Sequence, residues 1–222
     1  CDDSWIGAEE DRGLLIVTAP ASGTPELAQP RWLGVATIVG RDVQREAVTG
    51  AATRVGDPRG VARTTQGAPI ASVGDTPLFV EAALETPLDS HRTAVATANA
   101  GPADEAAAHL PLLYQDSVVE VRVDVRRSAG ADGPIELRAI GLPRGVRADF
   151  VTIPAGDNRG WLTLSVARDQ LDGPFSFAIQ ADLLPPEPAT RPPGAAPSRR
   201  TPKTPLSITV SNLLSARVAP GR

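Results

Sequence analysis

Three neighbouring residues, Asp89, Ser90 and His91, carry the side-chain types of a hydrolytic triad. In such a triad a histidine takes the proton of the serine hydroxyl, and a carboxylate orients the histidine. Contiguous residues of one loop do not reach that geometry, so we interpret these three as loop residues. The chain also has no Gly-x-Ser-x-Gly elbow and no phosphate-binding loop. We therefore expect no enzymatic activity and no small-molecule substrate.

Metal chemistry is equally poorly supported by the sequence. His91 and His109 are the only histidines, and they do not have the spacing of two ligands on one helix. No group of cysteines accompanies them to complete a zinc site. We predict that the protein binds no metal and no cofactor through its side chains.

Cys1 is the only cysteine, and the sequence contains no methionine. A chain that starts without methionine predicts a mature end produced by cleavage. Residues Cys1-Asp2-Asp3-Ser4 resemble the mature end of bacterial lipoproteins, in which the signal peptide is removed in front of an acylated cysteine. The resemblance implies a covalent diacylglycerol and acyl lipid on Cys1. The alternative is a fragment that begins at a free thiol.

The same resemblance implies a location outside the cytoplasm, attached to a membrane. Two or three acyl chains hold a domain on a bilayer, whereas a single chain holds it only marginally. The longest apolar runs, such as Leu14–Val17, are far shorter than the ~20 residues of a spanning helix. Asp2 after the cysteine resembles a retention signal, which implies the periplasmic face of the inner membrane.

The strongest secondary-structure signal is the alternation of valines with charged residues over 119–126. This period predicts a strand with one buried face and one wet face. Gly- and Pro-rich turns separate it from further predicted strands at 135–139, 149–153, 162–166 and 175–179. With 22 prolines and 20 glycines in 222 residues, the chain is predicted to be all-β. Strands spaced this closely predict a β-sandwich.

Several motifs within residues 117–183 share their type and spacing with a known family. They are Gly141-Leu142-Pro143-Arg144-Gly145-Val146, Thr152-Ile153-Pro154-Ala155-Gly156, Leu162-Thr163-Leu164 and Asp172-Gly173-Pro174-Phe175. They resemble the immunoglobulin-like repeats of large secreted bacterial proteins. The resemblance implies an immunoglobulin-like β-sandwich that serves display, spacing or binding and has no catalytic residues. We assign it residues 117–218, with Leu206–Val210 as a final strand.

The part of the chain before the sandwich is less regular. We predict a tether over 1–11, a β-rich region over 12–100 and a linker over 101–116 with a short helix at 102–109. Strands of the β-rich region are predicted at 14–17, 35–39, 41–48, 78–84 and 93–97, with a long connection over 50–76. A degenerate second sandwich is one interpretation of this region.

A proline-rich insertion at 185–205 contains the basic residues Arg191, Arg199, Arg200 and Lys203. No acid follows Glu187, and the six bases after it contrast with 26 acids and 16 bases in the chain up to and including Glu187. Such a segment favours extended chain over packed structure. A solvated loop is the simple interpretation, but we predict contact with anionic headgroups or an acidic partner. Nucleic acid is not expected in this compartment.

Trp5 and Ile6 lie close to the predicted anchor. Tryptophan is common at the lipid interface, so membrane contact is one interpretation, and packing onto this domain or onto a partner is the other. Both interpretations make these residues candidate contacts.

Two function classes agree with these features. We favour a non-enzymatic, lipid-anchored accessory or scaffold subunit that braces a larger membrane protein complex. The favoured setting is an energy-converting one, either a photosynthetic reaction centre with its antenna or a respiratory complex. The alternative is a free-standing ligand-binding or adhesion module at the cell surface. With three Trp and one Tyr, the chain offers few aromatics for an extended ligand groove.

Overall fold

A computed structural model describes residues 4–6, 10, 13–14, 16, 27–28, 33–38, 41–46, 48–51, 63–66, 70–71, 76–85, 109–186 and 204–220. Sixteen β-strands and no helix occur among these residues, so the predicted all-β class is confirmed. The predicted strand at 93–97 and nearly all of the predicted helix at 102–109 lie outside the described residues.

The chain divides into two compact units, of which one is Ala19–Asp75. Its strands are β1 (Leu27–Ala28), β2 (Leu33–Ile38), β3 (Arg41–Glu46), β4 (Val48–Ala51), β5 (Arg63–Gln66) and β6 (Ile70–Ala71). They pair antiparallel as β2 with β3, β4 with β5 and β1 with β6. The strands predicted at 35–39 and 41–48 are thus confirmed in most of their length, and the structure pairs them with each other as a hairpin. The predicted connection over 50–76 is wrong in part, because backbone pairing forms β5 from a polar segment without apolar alternation.

The other unit combines Cys1–Thr18 with Thr76–Arg222. Its strands are β7 (Leu78–Glu85), β8 (Leu112–Tyr114), β9 (Ser117–Arg127), β10 (Ile135–Ile140), β11 (Val146–Ala148), β12 (Val151–Ile153), β13 (Arg159–Val166), β14 (Gly173–Leu183), β15 (Ser207–Val210) and β16 (Leu214–Ala219). One sheet has the order β11-β13-β9-β7, and the other has the order β12-β10-β14-β16-β8. β15 pairs with β14 outside that order.

Alternating side chains of the two sheets form one hydrophobic core. In β9 the inward residues Val121, Val123 and Val125 are buried, whereas the charged residues between them face outward. The six-stranded sheet contributes the rings of Phe175 and Phe177, which stack with centroids 5.8 Å apart. The period of two in the sequence therefore determines which face of each strand is buried.

Four elements differ from the sequence-based expectation. β8 lies within the predicted linker 101–116, but it is a strand that pairs in parallel with β16. β7 was assigned to the region 12–100, but it pairs along its whole length with β9 in the two-sheet unit. Leu206–Val210 is confirmed as a partner of β14, but the last strand of the chain is β16, which pairs with the first half of β14. The strand predicted at 14–17 is wrong at Leu14 and Ile16, neither of which belongs to a strand.

Among the described strands β7 lies at the edge of its sheet, and there a side chain bonds the backbone of Ala82. The amide of Asn212, in the connection between β15 and β16, accepts a hydrogen bond from the N–H of Ala82 at 2.8 Å. Its nitrogen donates to the carbonyl oxygen of Ala82 at 3.1 Å. Asn212 therefore satisfies both backbone groups of Ala82 and ties the two sheets together at this edge.

Candidate functional site

Of the candidate site residues predicted from the sequence, only Trp5 and Ile6 are among the described residues. Cys1, where the lipid is predicted, and the four basic residues Arg191, Arg199, Arg200 and Lys203 lie outside them. Acylation of Cys1 and contact through the basic insertion therefore stay predictions.

Trp5 is attached to the six-stranded sheet through its backbone. The N–H of Trp5 donates to Oγ of Ser176 at 2.8 Å, and the N–H of Ser176 donates to the carbonyl oxygen of Trp5 at 3.0 Å. Oγ of Ser176 also lies 2.8 Å from Oγ of Ser215. Ser176 points to the outer face of β14 and is nevertheless only 2% exposed. Trp5 itself is half-buried, whereas the neighbouring Ile6 is 57% exposed.

Further contacts hold this N-terminal segment on the same part of the sheet. The hydroxyl of Ser4 donates to the carbonyl oxygen of Leu14, and a carboxylate oxygen of Glu10 accepts from the N–H of Arg144 at 2.9 Å. Gly141 has a φ of +81°, and a Cβ there would lie 3.1 Å from Cβ of Leu14. The described part of the predicted tether is therefore docked on the two-sheet unit, and Ile6 stays available for contact.

A second candidate surface emerges only from the structure. We define the aromatic–arginine face as the outer side of the four-stranded sheet β11-β13-β9-β7. It exposes Trp161 by 45%, Phe79 by 51% and Val118 by 64%. Strand register places Trp161 opposite Arg122, and it places Phe79 opposite Arg126. The guanidinium carbon of Arg126 lies 5.0 Å from the centroid of the Phe79 ring, within the range of a cation–π contact.

Ion pairs hold most of the charged side chains of this face. Arg122 bonds Glu85 at 2.6 Å and Asp124 at 3.0 Å, and Arg159 bonds the other oxygen of Asp124 at 2.6 Å. The hydrogen bond from Arg159 is the main cause that lowers the pKa of Asp124, and the charges of Arg159 and Arg122 act in the same direction. Partial burial opposes them. Asp124 is therefore ionised at neutral pH, and the network orients both arginines.

The face carries no net charge. Its acids are Glu81, Glu85, Glu120 and Asp124, and its bases are Arg122, Arg126, Arg147 and Arg159. A neutral surface gives no general attraction to anionic lipid or nucleic acid. Exposed Trp and Phe among fixed arginines instead match the composition of protein–protein contact surfaces.

Sequence reasoning missed this face for an identifiable reason. The alternation in β9 predicted a wet surface correctly, but the aromatics on that surface come from β7 and β13. β7 was placed in another region, and Trp161 lay just before the predicted strand at 162–166. The sequence did contain one indication of this face, namely aromatic residues at positions that alternation predicts to face solvent.

Within the described ranges, no three His, Cys, Asp or Glu residues lie close enough together to hold a metal ion. The described residues also include no helix with the length and apolar character required to cross a membrane. No protein-family model matches the chain, and neither the curated proteins nor the solved structures compared with it show a significant similarity.

Proposed function

We propose that this protein is a non-enzymatic accessory subunit that braces a larger membrane protein complex, and that it docks through the aromatic–arginine face. The observation that carries the proposal is the exposure of Trp161 and Phe79 between arginines held by ion pairs. Trp, Tyr and Arg dominate the binding energy of many protein interfaces. Side chains that are already oriented lose less conformational entropy when a partner binds.

We also propose that the two-sheet unit is immunoglobulin-like. Strand order supports this, because β11-β13-β9-β7 corresponds to strands D, E, B and A of such a domain. On the same basis β10-β14-β16 corresponds to C, F and G. β12 lies beside the C-equivalent strand, although it follows the D-equivalent strand in the chain. A rigid sandwich of this kind suits spacing and bracing, while its specificity comes from the residues on its surface.

The proposed setting is the extracytoplasmic side of a membrane, at the periplasmic face of the inner membrane, with an energy-converting complex favoured. In this proposal, an acyl lipid on Cys1 raises the local concentration of weak contacts. The basic insertion is the second proposed contact. The strands on either side of the insertion are held together, because Leu183 at the end of β14 pairs with Ser207 at the start of β15. Deletion of 188–203 is therefore expected to weaken association without disrupting the sheet.

The test is mild detergent solubilisation of the native membrane, followed by native gel electrophoresis and mass spectrometry. We expect the chain to co-migrate with a large complex. A Trp161→Ala variant should lose most of this co-migration, because a truncated hot-spot tryptophan costs about 2 kcal/mol or more of binding free energy. Phe150→Ala is the matched control, since Phe150 is 79% exposed but lies between β11 and β12, outside the face. A chain that migrates alone contradicts the proposal.

One observation favours the alternative of a free-standing ligand-binding module. The exposed ring of Trp161 is flanked by the polar side chains of Arg122 and Thr163, an arrangement that also suits stacking of a planar or sugar-like ligand. That alternative predicts that the purified chain binds an isolated ligand with no other protein present. If the chain migrates alone and Trp161→Ala loses ligand binding, the function is that of a ligand-binding module and not of an accessory subunit.

A further inference from the structure

We infer that β15 is a self-association strand, through which two copies of the chain pair edge to edge. This inference concerns the opposite sheet from the aromatic–arginine face and goes beyond the proposed docking function. It rests on the exposed side chains of β15, on its open backbone edge and on the symmetry of its sequence.

Apolar side chains alternate along β15 and the residue before it. Leu206, Ile208 and Val210 are exposed by 62%, 59% and 37%. The residues between them are half-buried, and Oγ1 of Thr209 lies 3.1 Å from Oγ1 of Thr76. The two-sheet unit therefore presents three neighbouring apolar side chains on one side of a single strand. This is the reverse of the usual pattern, in which the apolar side of a strand faces the core.

The backbone of β15 is also open on one side. Among the described residues, β15 forms a ladder only with β14. At the other described edges of the unit, Asn212 occupies both backbone groups of Ala82 in β7, and the edge strands β11, β12 and β8 have three residues each. Residues 206–210 contain no charge, proline or glycine. Apart from its short length of four residues, β15 thus lacks the features that normally prevent pairing of an exposed edge.

The sequence of this edge fits a second copy of itself. In an antiparallel pair with its twofold axis at Ile208, each Ile208 faces its counterpart, and Leu206 faces Val210 of the other copy. The apolar row then meets an apolar row, while Ser207 meets Thr209. No like charges are brought together, because the segment has none. A strand this short buries less than the ~800 Å² per partner of a standard interface, so the pairing is weak and depends on concentration.

The first test uses the full chain with its only cysteine removed, Cys1→Ser, and one new cysteine, Ile208→Cys. Opposed residues of an antiparallel pair have Cβ atoms about 4.5–5.5 Å apart, close enough for oxidation to trap the dimer with little movement. We expect a disulfide-linked dimer on a non-reducing gel. Val118→Cys is the control, since Val118 is 64% exposed on the other sheet. Equal dimer formation by both variants would overturn the inference.

The second test measures self-association by sedimentation equilibrium. Ile208→Lys places a charge opposite its own symmetry mate, so we expect the dimer dissociation constant to rise at least tenfold, while far-UV circular dichroism stays unchanged. Trp161→Ala should leave self-association intact, which separates this result from the docking proposal. A wild-type chain that stays monomeric at the highest attainable concentration, or a dimer that survives Ile208→Lys, would refute pairing through β15.

Discussion

Arg126 and Arg127 are neighbours at the end of β9 with the same side chain and opposite environments. Arg126 points to solvent, with 79% of its side chain exposed. The guanidinium of Arg127 donates to the carbonyl oxygens of Ala131 (2.8 Å), Gly133 (2.6 Å), Pro154 (3.2 Å) and Asp157 (3.0 Å). Partial burial lowers the pKa of Arg127, and the charges of Asp132 and Asp157 oppose that shift. One side chain therefore joins two turns to the end of a strand.

This pair provides a matched test of what the carbonyl contacts contribute. Arg127→Met should lower the free energy of unfolding by about 1.5–3 kcal/mol, because several carbonyls lose a charged donor. Arg126→Met should change it by about 1 kcal/mol or less, since its ion pair with Glu81 is long and exposed and its cation–π contact with Phe79 lies at the surface. Urea unfolding followed by tryptophan fluorescence measures both. Similar losses in the two variants would show that the carbonyl contacts contribute little.

Asp124 gives the aromatic–arginine face a pH dependence. Its pKa is lowered in the folded state, so the unfolded chain binds the proton more tightly. The stabilisation is complete above the ordinary aspartate pKa of about 3.9 and is lost as the pH falls through the lower folded-state value. We expect Asp124→Asn to cost under about 1 kcal/mol near neutral pH, because the side chain is partly exposed, and less once the pH falls through the lowered folded-state pKa.

The measurement for Asp124 is the free energy of unfolding at a series of pH values, for wild type and Asp124→Asn. Arg159→Met is the companion variant, because it removes the hydrogen bond that mainly lowers this pKa. In that background the difference caused by Asp124→Asn should shrink. If the difference in unfolding free energy between wild type and Asp124→Asn stays constant from neutral to acid pH, the ion pairs do not stabilise the fold through the ionised form of Asp124.

At the scale of elements, Asn212 makes the stability of β7 depend on a connection far away in sequence. Asn212→Ala should leave the N–H and the carbonyl of Ala82 without these partners and lower the free energy of unfolding by about 1–2 kcal/mol. Hydrogen exchange at the amide of Ala82 should become faster. Asn158→Ala is the control, because Asn158 is exposed on the turn before β13. Unchanged exchange at Ala82 would mean that water replaces the asparagine at no cost.

The elements also show how far sequence patterns extend. Alternation predicted β9 and the buried sides of the strands that follow it, because burial on one face leaves a period of two. It did not place β7 beside β9, since pairing between distant segments has no local signature. β16 was missed because Leu214–Ala219 mixes small and polar residues, and only Val218 of its three inward residues is β-branched. The aromatic–arginine face depends on the pairing of β9 with both β7 and β13, and local sequence patterns do not predict these pairings.

At the scale of the whole molecule, the two units differ in the interactions that stabilise them. The core of the two-sheet unit is built from buried residues between Leu78 and Val218. The strand ladders described for Ala19–Asp75 close within that unit as three short antiparallel pairs. A two-stranded pair has marginal stability on its own, whereas two sheets around a shared core are stable independently. The two units should therefore contribute unequally to folding.

This inequality predicts the result of replacing Ala19–Asp75 by a flexible Gly/Ser segment of equal length. We expect the shortened protein to fold, with a thermal midpoint within about 5 °C of the full chain, because the described core contains no residue of the replaced unit. Far-UV circular dichroism and hydrogen exchange at Ser176, which bonds Trp5, are the measurements. If the variant with the Gly/Ser segment fails to fold, both units belong to one cooperative structure. If it folds, native-gel association of the shortened chain then separates bracing by the two-sheet unit from contacts made by residues 19–75.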